Sequence, residues 1–495
     1  MKDRTSNGIG AEEKTDDWEL LEWHSIENSI RKLRSRIFRA TREQKWNVVR
    51  SLMKLMLRSH FNLLLSVRRV TQKNKGKTTA GVDKEIALTS KRRMSLVRTM
   101  GKHTVWKTKP TRRVYIPKPG KPGQERPLGI PTIRNRVSQA MVKNALEPSW
   151  EARFESNSYG FRPGRSIHDA ITQCWILLAG HRQRPWILDA DLKSAFDQIS
   201  HNHVLDTIGQ VPGRELVKQW LAAGYVEAEI FHATESGAPQ GGVISPLILN
   251  VALHGLQEHL GQRFGYVRYA DDLVVCARTR EEIEAVRATI EEWLKPRGLA
   301  LHPEKTRIVH INDGFNFLGF FIRRYKGKCL IKPQKEKVLD FLAGLSLWLD
   351  QHKQTAAENV ISHLNPILRG WSNNYCHVVS KQVFSYVTCR LFKMLWKWCM
   401  RRHPKKGKDW VRQKYFASRY NVKWTFHATR GERTFYLYNV AYVPIERHIK
   451  VKGTASPDDP QLKEYWRLRS EPRSARRKRT TKAPPPLVES DARAV

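Results

Sequence analysis

The sequence predicts an α+β architecture: an antiparallel sheet with flanking helices, followed by an all-helical, strongly basic module. Three observations predict it. Strand-length apolar runs interleave with helix-period stretches through the first two-thirds of the 495 residues. From residue 335 onward the apolar period is helical throughout, with Val338, Leu339, Phe341, Leu342, Leu345, Trp348 and Leu349 on one face. Lysine and arginine number 88 against 47 acids, a formal charge of +41.

Taken in order, residues 18–40 and 44–70 carry helical periodicity; in the second, Trp46, Val49, Met53, Met56, His60, Leu63, Leu64 and Val67 share a stripe. "TQKNKGKTTAGVD" (71–83) is a Gly/Lys/Thr loop. "RRVYIPKPGKPGQERPLGIP" (112–131) alternates like a hairpin around a Pro/Gly turn. Residues 133–180 are mainly helical, broken by "SNSYGFRPGRS". A short strand "WILDADL" (186–192) precedes a helical stretch, and "GAPQGGVISPLILNVAL" (237–253) is a Gly-rich turn feeding a buried helix. A second hairpin at 265–277 follows, then a helix at 280–295 and strands near 306–311 and 315–323. There are no internal repeats.

Charge narrows the function classes. With a pI near 10.2, the chain repels itself unless it meets a polyanion, and nucleic acid is the usual one. A membrane surface is also anionic, but no run of 18 apolar residues exists, and the longest candidate is interrupted by Lys54, Arg58 and His60. Residues 1–23 hold seven acids and no apolar signal core, so secretion is not expected. The six cysteines are scattered singly, without a C-x-x-C pair, which argues against zinc knuckles and a disulfide framework. A reducing, cytoplasmic setting is expected, whether prokaryotic cytoplasm and nucleoid or an organelle. Residues 390–414 hold ten basic residues and one acid, Asp409. There Arg390, Lys393, Lys397 and Arg401 recur at helical spacing beside Leu391, Met394, Leu395, Trp396 and Trp398, and Lys405 and Lys406 follow. A basic stripe with an apolar flank suits a groove that tracks a phosphate backbone.

The acids point to chemistry. Asp191 ends the strand of "LDADLKSAF", and Asp271 and Asp272 sit at the hairpin tip of "YADD". Neighbouring strands lie about 5 Å apart, so two such ends can bring three carboxylates together. Turn capping would account for Asp191 alone. A doubled aspartate inside a β-hairpin of so basic a chain is better explained by divalent cations, for which oxygen ligands select Mg²⁺ or Mn²⁺. Two such ions can activate a 3′-hydroxyl and stabilise a leaving pyrophosphate.

With "ADLKSAF" upstream and "GAPQGGVISPLILN" between, "YADD" resembles the palm of a reverse transcriptase. "RPLGIPTIRNRVSQA", "SYGFRPGRSIHDAI", "LALHPEKTRIV" and "FNFLGFFI" match the other ordered blocks. "LNPILRGWSNNY" and "RRHPKKGKDWVRQKYF" resemble the thumb and maturase region of group II intron-encoded reverse transcriptases. The resemblance spans roughly residues 20–470 and implies a right-hand polymerase. Its parts would be an acidic disordered N-terminus (1–17), a helical extension with a template lid loop (18–83), fingers (84–185) and palm (186–330). A thumb/maturase domain (331–404), a maturase-specific, DNA-binding region (405–470) and a disordered basic tail (471–495) would follow.

The resemblance also implies roles. Asp191, Asp271 and Asp272 would be catalytic and hold two Mg²⁺, or Mn²⁺, with the Leu192 carbonyl as a further ligand. Phe196 would be the steric gate under the sugar. Lys118 and Arg126 would clamp the triphosphate, although Lys121 in the same turn competes with Lys118. Gln240 would lie beside the nascent base pair, and Lys305 matches a common lysine of the next block, near the deoxynucleotide. Partners would be intron RNA, an RNA template, DNA primer and target, and deoxynucleotides. No membrane partner is expected, and the chain would be a monomer or homodimer. The C-terminus departs from the fullest family form: no cysteine pair or HNH cluster follows "HIKVKGTASPDDPQLKEYWRLR", so second-strand nicking is not expected and the first strand would need a borrowed primer. Two rivals stay open: a domesticated reverse transcriptase of DNA repair or phage defence, and a splicing cofactor without polymerase activity.

Overall fold

The computed structural model describes residues 17–102, 107–117, 123–179, 184–419 and 422–471. The termini expected to be disordered therefore lie almost wholly outside the described residues, as do Lys118 and Lys121.

The N-terminal helices are Trp23–Arg42, Trp46–Arg58 and His60–Arg68. The single helix expected over 44–70 is thus two. Ser59 is extended (ψ 122°) and caps the next helix by accepting from the Asn62 N–H. A one-residue break barely shifts the apolar phase, so periodicity alone missed it. What holds the break is Asn62, fully buried, whose amide donates to the carbonyls of Met56 (3.0 Å) and Met141 (3.2 Å) and accepts from Asn144. These helices wrap Ile133–Glu151, a helix buried along nearly its whole length.

The fingers hairpin pairs Thr111–Pro117 with Glu125–Ile130, placing Ile116 opposite Arg126. Two three-residue strands extend it: Tyr225–Glu227, parallel to the first strand, and Ile230–His232. The central sheet is wholly antiparallel, in the order Gly265–Tyr269, Asp272–Ala277, Trp186–Asp191, Arg307–His310. Its alternation sorts the side chains onto two faces. Leu188, Ala190, Leu273 and Val275 pack against Ile248, Ile283, Val286 and Ile290 from helices Ser245–Ala252 and Arg280–Leu294. Ile187, Val274 and Cys276 join Ile171, Cys174 and Leu178 of helix Ile167–Ala179 on the other face.

A small sheet (Phe315–Phe317, Phe320–Tyr325, Lys328–Pro333) leads into the thumb helices Lys335–Gln351, Ala357–Tyr375 and Lys381–Arg402. Leu339, which the helical period sets on one face with Val338 and Leu342, is instead 46% exposed. The all-helical continuation ends at Tyr415. After helix Lys408–Tyr415 the chain forms an antiparallel sheet of Phe416–Arg419, Val422–Arg430 and Arg433–Tyr436. Its Phe416, Phe426 and Ala428 bury with Leu395 and Trp398 of the last thumb helix, and this packing overrides the basic, polar composition of the strands. Among the described residues no helix is long and apolar enough to cross a membrane.

The final segment returns to the start of the molecule. Asp458 binds the Arg34 guanidinium through both oxygens (2.8 and 2.7 Å), Asp459 binds Arg42, and Arg165 donates to the Gly453 carbonyl. A buried ion pair anchors the loop at 152–166: Arg162, fully buried, is bidentate to Glu151 at 2.9 and 3.0 Å and also donates to the Glu155 and Ser158 carbonyls. Removing one member of such a pair strands a buried charge. Arg162→Met is expected to lower unfolding stability by about 3–5 kcal/mol in urea melts. Arg280→Met, breaking an exposed pair with Glu284, should change it by less than about 0.5 kcal/mol.

Candidate active site

Strand register builds the site. Asp191 lies directly opposite Asp272, and the hairpin closes from Tyr269 to Asp272 over Ala270 and Asp271. Ala270 holds φ +58° to make that two-residue turn. The Leu192 N–H donates to the Asp271 carbonyl (3.3 Å), the Lys193 N–H to Ala300, and the His302 N–H to the Asp191 carbonyl (2.8 Å). Asp191, Asp271, Asp272 and the Leu192 backbone therefore meet at one sheet end. Period-2 geometry puts Asp189 on the same face as Asp191 and Asp272.

The electrostatics are those of an undercompensated acidic cluster. Burial pushes the Asp272 carboxyl up to about 7, with the negative charges of Asp271, Asp191 and Asp189 adding to the shift. Burial likewise raises Asp271, although its own backbone N–H opposes this. Asp189 is pushed up to about 7, first by burial and against the pull of Arg307. Among the described residues, Lys305 is ion-paired to Asp191, Arg126 and Lys305 act on Asp271 through their charge, and Arg307 acts on Asp189. Carboxylates that the strand register brings to one sheet end fit divalent cations of the Mg²⁺ or Mn²⁺ type.

The turn is braced from behind by Arg268, which is 1% exposed. Its guanidinium donates to the Asn250 amide oxygen (2.9 Å) and the Ala270 carbonyl (3.2 Å), while Asn250 donates to the Gly160 carbonyl. Strand and loop are also joined directly, by Tyr159 N–H to the Arg268 carbonyl and Arg268 N–H to Asn157. Gly160 allows the close approach: a Cβ there would stand 2.3 Å from the Ala270 nitrogen. Sequence reasoning singled out neither Gly160 nor Arg268. The available signal was an arginine at an inward position of an apolar strand.

Phe196 and Gln240 line one cavity together with Thr111, Arg113, Gly129 and Pro239. The Phe196 carbonyl accepts from Ala238 (2.6 Å) and the Gln240 carbonyl from Gly129 (2.7 Å), so the "PQGG" turn is stapled to both palm and fingers. Gly241 is required there, with φ +114° and a Cβ that would lie 2.8 Å from the Gly129 oxygen. Arg113, not anticipated, stacks its guanidinium 3.8 Å from the Tyr225 ring centre at this cavity. Arg126 is exposed on the neighbouring strand. On the thumb, Arg390, Lys393, Lys397 and Arg401 are all exposed on Lys381–Arg402. Arg401 is paired with Asp350 (2.5 Å), and Lys406 lies 5.5 Å from the Trp410 ring centre beside exposed Lys405 in the turn that follows.

A sheet carrying paired acids at its hairpin, beneath a fingers hairpin and ahead of a helical thumb, is the plan of a right-hand polymerase. The sequence comparisons agree. A reverse transcriptase (RNA-dependent DNA polymerase) model matches residues 116–322, the N-terminal domain of reverse transcriptase matches 18–100, and the group II intron maturase-specific domain matches 338–416. The protein YkfC of Escherichia coli is 32% identical over 341 residues, 58% of this chain and 88% of its own. The group II intron-encoded protein LtrA of Lactococcus lactis is 26% identical over 403 residues, 61% of this chain and 66% of its own. A telomerase structure from Candida albicans aligns with a TM-score of 0.35 at 12% identity, covering 62% of this chain and 60% of its own.

The chain belongs to the group II intron-encoded reverse transcriptases, which join an RNA-directed DNA polymerase to a maturase domain. Divalent-metal dependence and RNA binding come with those domains.

The Gly160 brace yields a prediction. Gly160→Ala should push the Ala270–Asp271 turn out of line and cut the primer-extension rate about 100-fold, with a smaller effect on RNA affinity measured by filter binding. An unchanged rate would show that the turn position is not set from this loop.

Proposed function

We propose that the chain binds a group II intron RNA to assist its splicing and copies that RNA into DNA during intron mobility. The reading is carried by the register that sets Asp191 against Asp272 with Asp271 on the adjoining turn. Asp191, Asp271, Asp272 and the Leu192 carbonyl would hold two Mg²⁺, with Mn²⁺ as a substitute, and these would acidify a primer 3′-hydroxyl and offset charge on the phosphates. The side chains around them divide the remaining work. Phe196 packs under the sugar of the incoming deoxynucleotide and leaves no room for a 2′-hydroxyl. Gln240 lies beside the nascent base pair, where Gly241 and Gly242 let the backbone approach closely. Arg126, with Lys118, binds the triphosphate, and arginine does so bidentately. Lys305 neutralises Asp191 and lies within reach of the same phosphates. Arg390, Lys393, Lys397, Arg401, Lys405 and Lys406 track the nucleic-acid backbone, which makes binding strongly salt-dependent.

One chain suffices for this chemistry, whether the protein acts as monomer or homodimer. A reducing cytoplasm is the proposed setting, supported by cysteines that are all free thiols. The test is primer extension on intron RNA with deoxynucleotides and Mg²⁺. Asp271→Asn/Asp272→Asn should lower extension by on the order of 10³-fold or more while intron RNA affinity holds. A wild type that binds the RNA tightly yet makes no DNA would instead favour the splicing-cofactor reading.

A further inference from the structure

We propose that His168, His377 and His448 form a second metal site, for Zn²⁺ or a similar borderline divalent ion, that clips the thumb and the C-terminal segment to the fingers and palm. The three come from remote parts of the chain. His168 lies in the first turn of helix Ile167–Ala179, His377 just beyond the thumb helix Ala357–Tyr375, and His448 in the returning segment after Val440–Tyr442. One ring nitrogen from each lies within 4.8 Å of the other two, and all three side chains are half-buried. The ring centres are 4.5 Å (His168–His377), 5.5 Å (His168–His448) and 5.3 Å (His377–His448) apart.

The surroundings point to a ligand rather than to ring stacking alone. Each imidazole is bonded to an oxygen that can only accept. His168 Nε2 meets the Asn374 carbonyl (2.9 Å), His377 Nδ1 the Glu446 carbonyl (2.8 Å), and His448 Nε2 the Asp169 carboxylate (2.9 Å). Those oxygens fix the orientation of each ring. Metal-binding histidines are oriented by such bonds to carbonyls and carboxylates. Asp169, fully buried, is itself held by the Val451 N–H (2.7 Å) and the Arg469 guanidinium (2.8 Å). Arg469 lies 3.4 Å from His448 Nε2, and the Asp169 charge offsets it.

Ligand chemistry separates this site from the polymerase site. Three imidazoles select Zn²⁺, Co²⁺, Ni²⁺ or Cu²⁺, whereas the aspartate cluster selects hard ions such as Mg²⁺. A Zn–N bond of about 2.0–2.1 Å sets tetrahedral nitrogens roughly 3.4 Å apart, so nitrogens that lie within 4.8 Å of one another would close by up to about 1.4 Å. Water would fill the fourth position.

The experiment uses the full chain, stripped with chelator and titrated with Co²⁺, in wild type and in the Asp271→Asn/Asp272→Asn background that removes the hard site. One equivalent of Co²⁺ giving intense tetrahedral visible bands in both, displaced by Zn²⁺, is the expected result. His448→Gln and His377→Ala should weaken it at least about 10-fold. Folded wild type without those bands, or bands that persist in His168→Ala/His377→Ala, would overturn the site. Should the variants fail to fold, zinc-edge X-ray absorption on the loaded wild type still decides: three imidazoles support it, two or fewer refute it.

Discussion

The structure depends on a pairing that costs energy. In the central sheet Asp191 faces Asp272 and Asp271 adjoins them, with Asp189 one side-chain repeat further back on the same face. Burial first, and the neighbouring negative charges after it, raise the proton affinity of Asp272 and Asp271. A sheet free to slip by one residue would relieve this by turning the acids to opposite faces. It cannot slip, because the same step would take Leu188, Ala190, Leu273 and Val275 out of the core beneath. Apolar packing on one face thus enforces electrostatic strain at the strand ends, where divalent cations can use it.

The other elements hold that end in place. Arg268 and Asn250 tie the turn to the loop carrying Gly160, and the Arg162–Glu151 pair secures the loop. The "PQGG" turn is bonded to fingers and palm at once, which fixes Phe196 and Gln240 around one cavity. The last described residues then reach back to Arg34, Arg42 and Asp169, closing the chain across its own beginning. These attachments are polar and directional, unlike the apolar cores they join.

The sequence made the strands and the three acids legible because both leave local marks: period-2 apolar runs, and charges at their ends. Phe196 and Gln240 were found through ordered motifs, not through any physical signal of their own. What escaped depends on contacts between remote segments. Nothing near Gly160 in the chain shows that it abuts Ala270, and nothing near His168 announces His377 or His448. Asp189 was passed over within its own strand, although the two-residue period aligns it with Asp191. The strands at 416–436 were missed for another reason: their inward residues alternate, but abundant charge and aromatics masked the pattern, and helical neighbours biased the reading. The three-residue strands near 225 and 230 are too short to carry any period.

The most direct test of the central claim is metal-directed cleavage of the protein backbone, with Fe²⁺ replacing the native ion and peroxide generating hydroxyl radicals beside it. If the strand ends form one divalent-cation site, cuts should fall next to residues 191 and 271–272, disappear with excess Mg²⁺, and be lost together in Asp191→Asn. Cuts near 168, 377 and 448 would belong to the histidine cluster and resist Mg²⁺. Cleavage at 271–272 that persists in Asp191→Asn, or folded protein that is not cut there at all, would contradict a shared site.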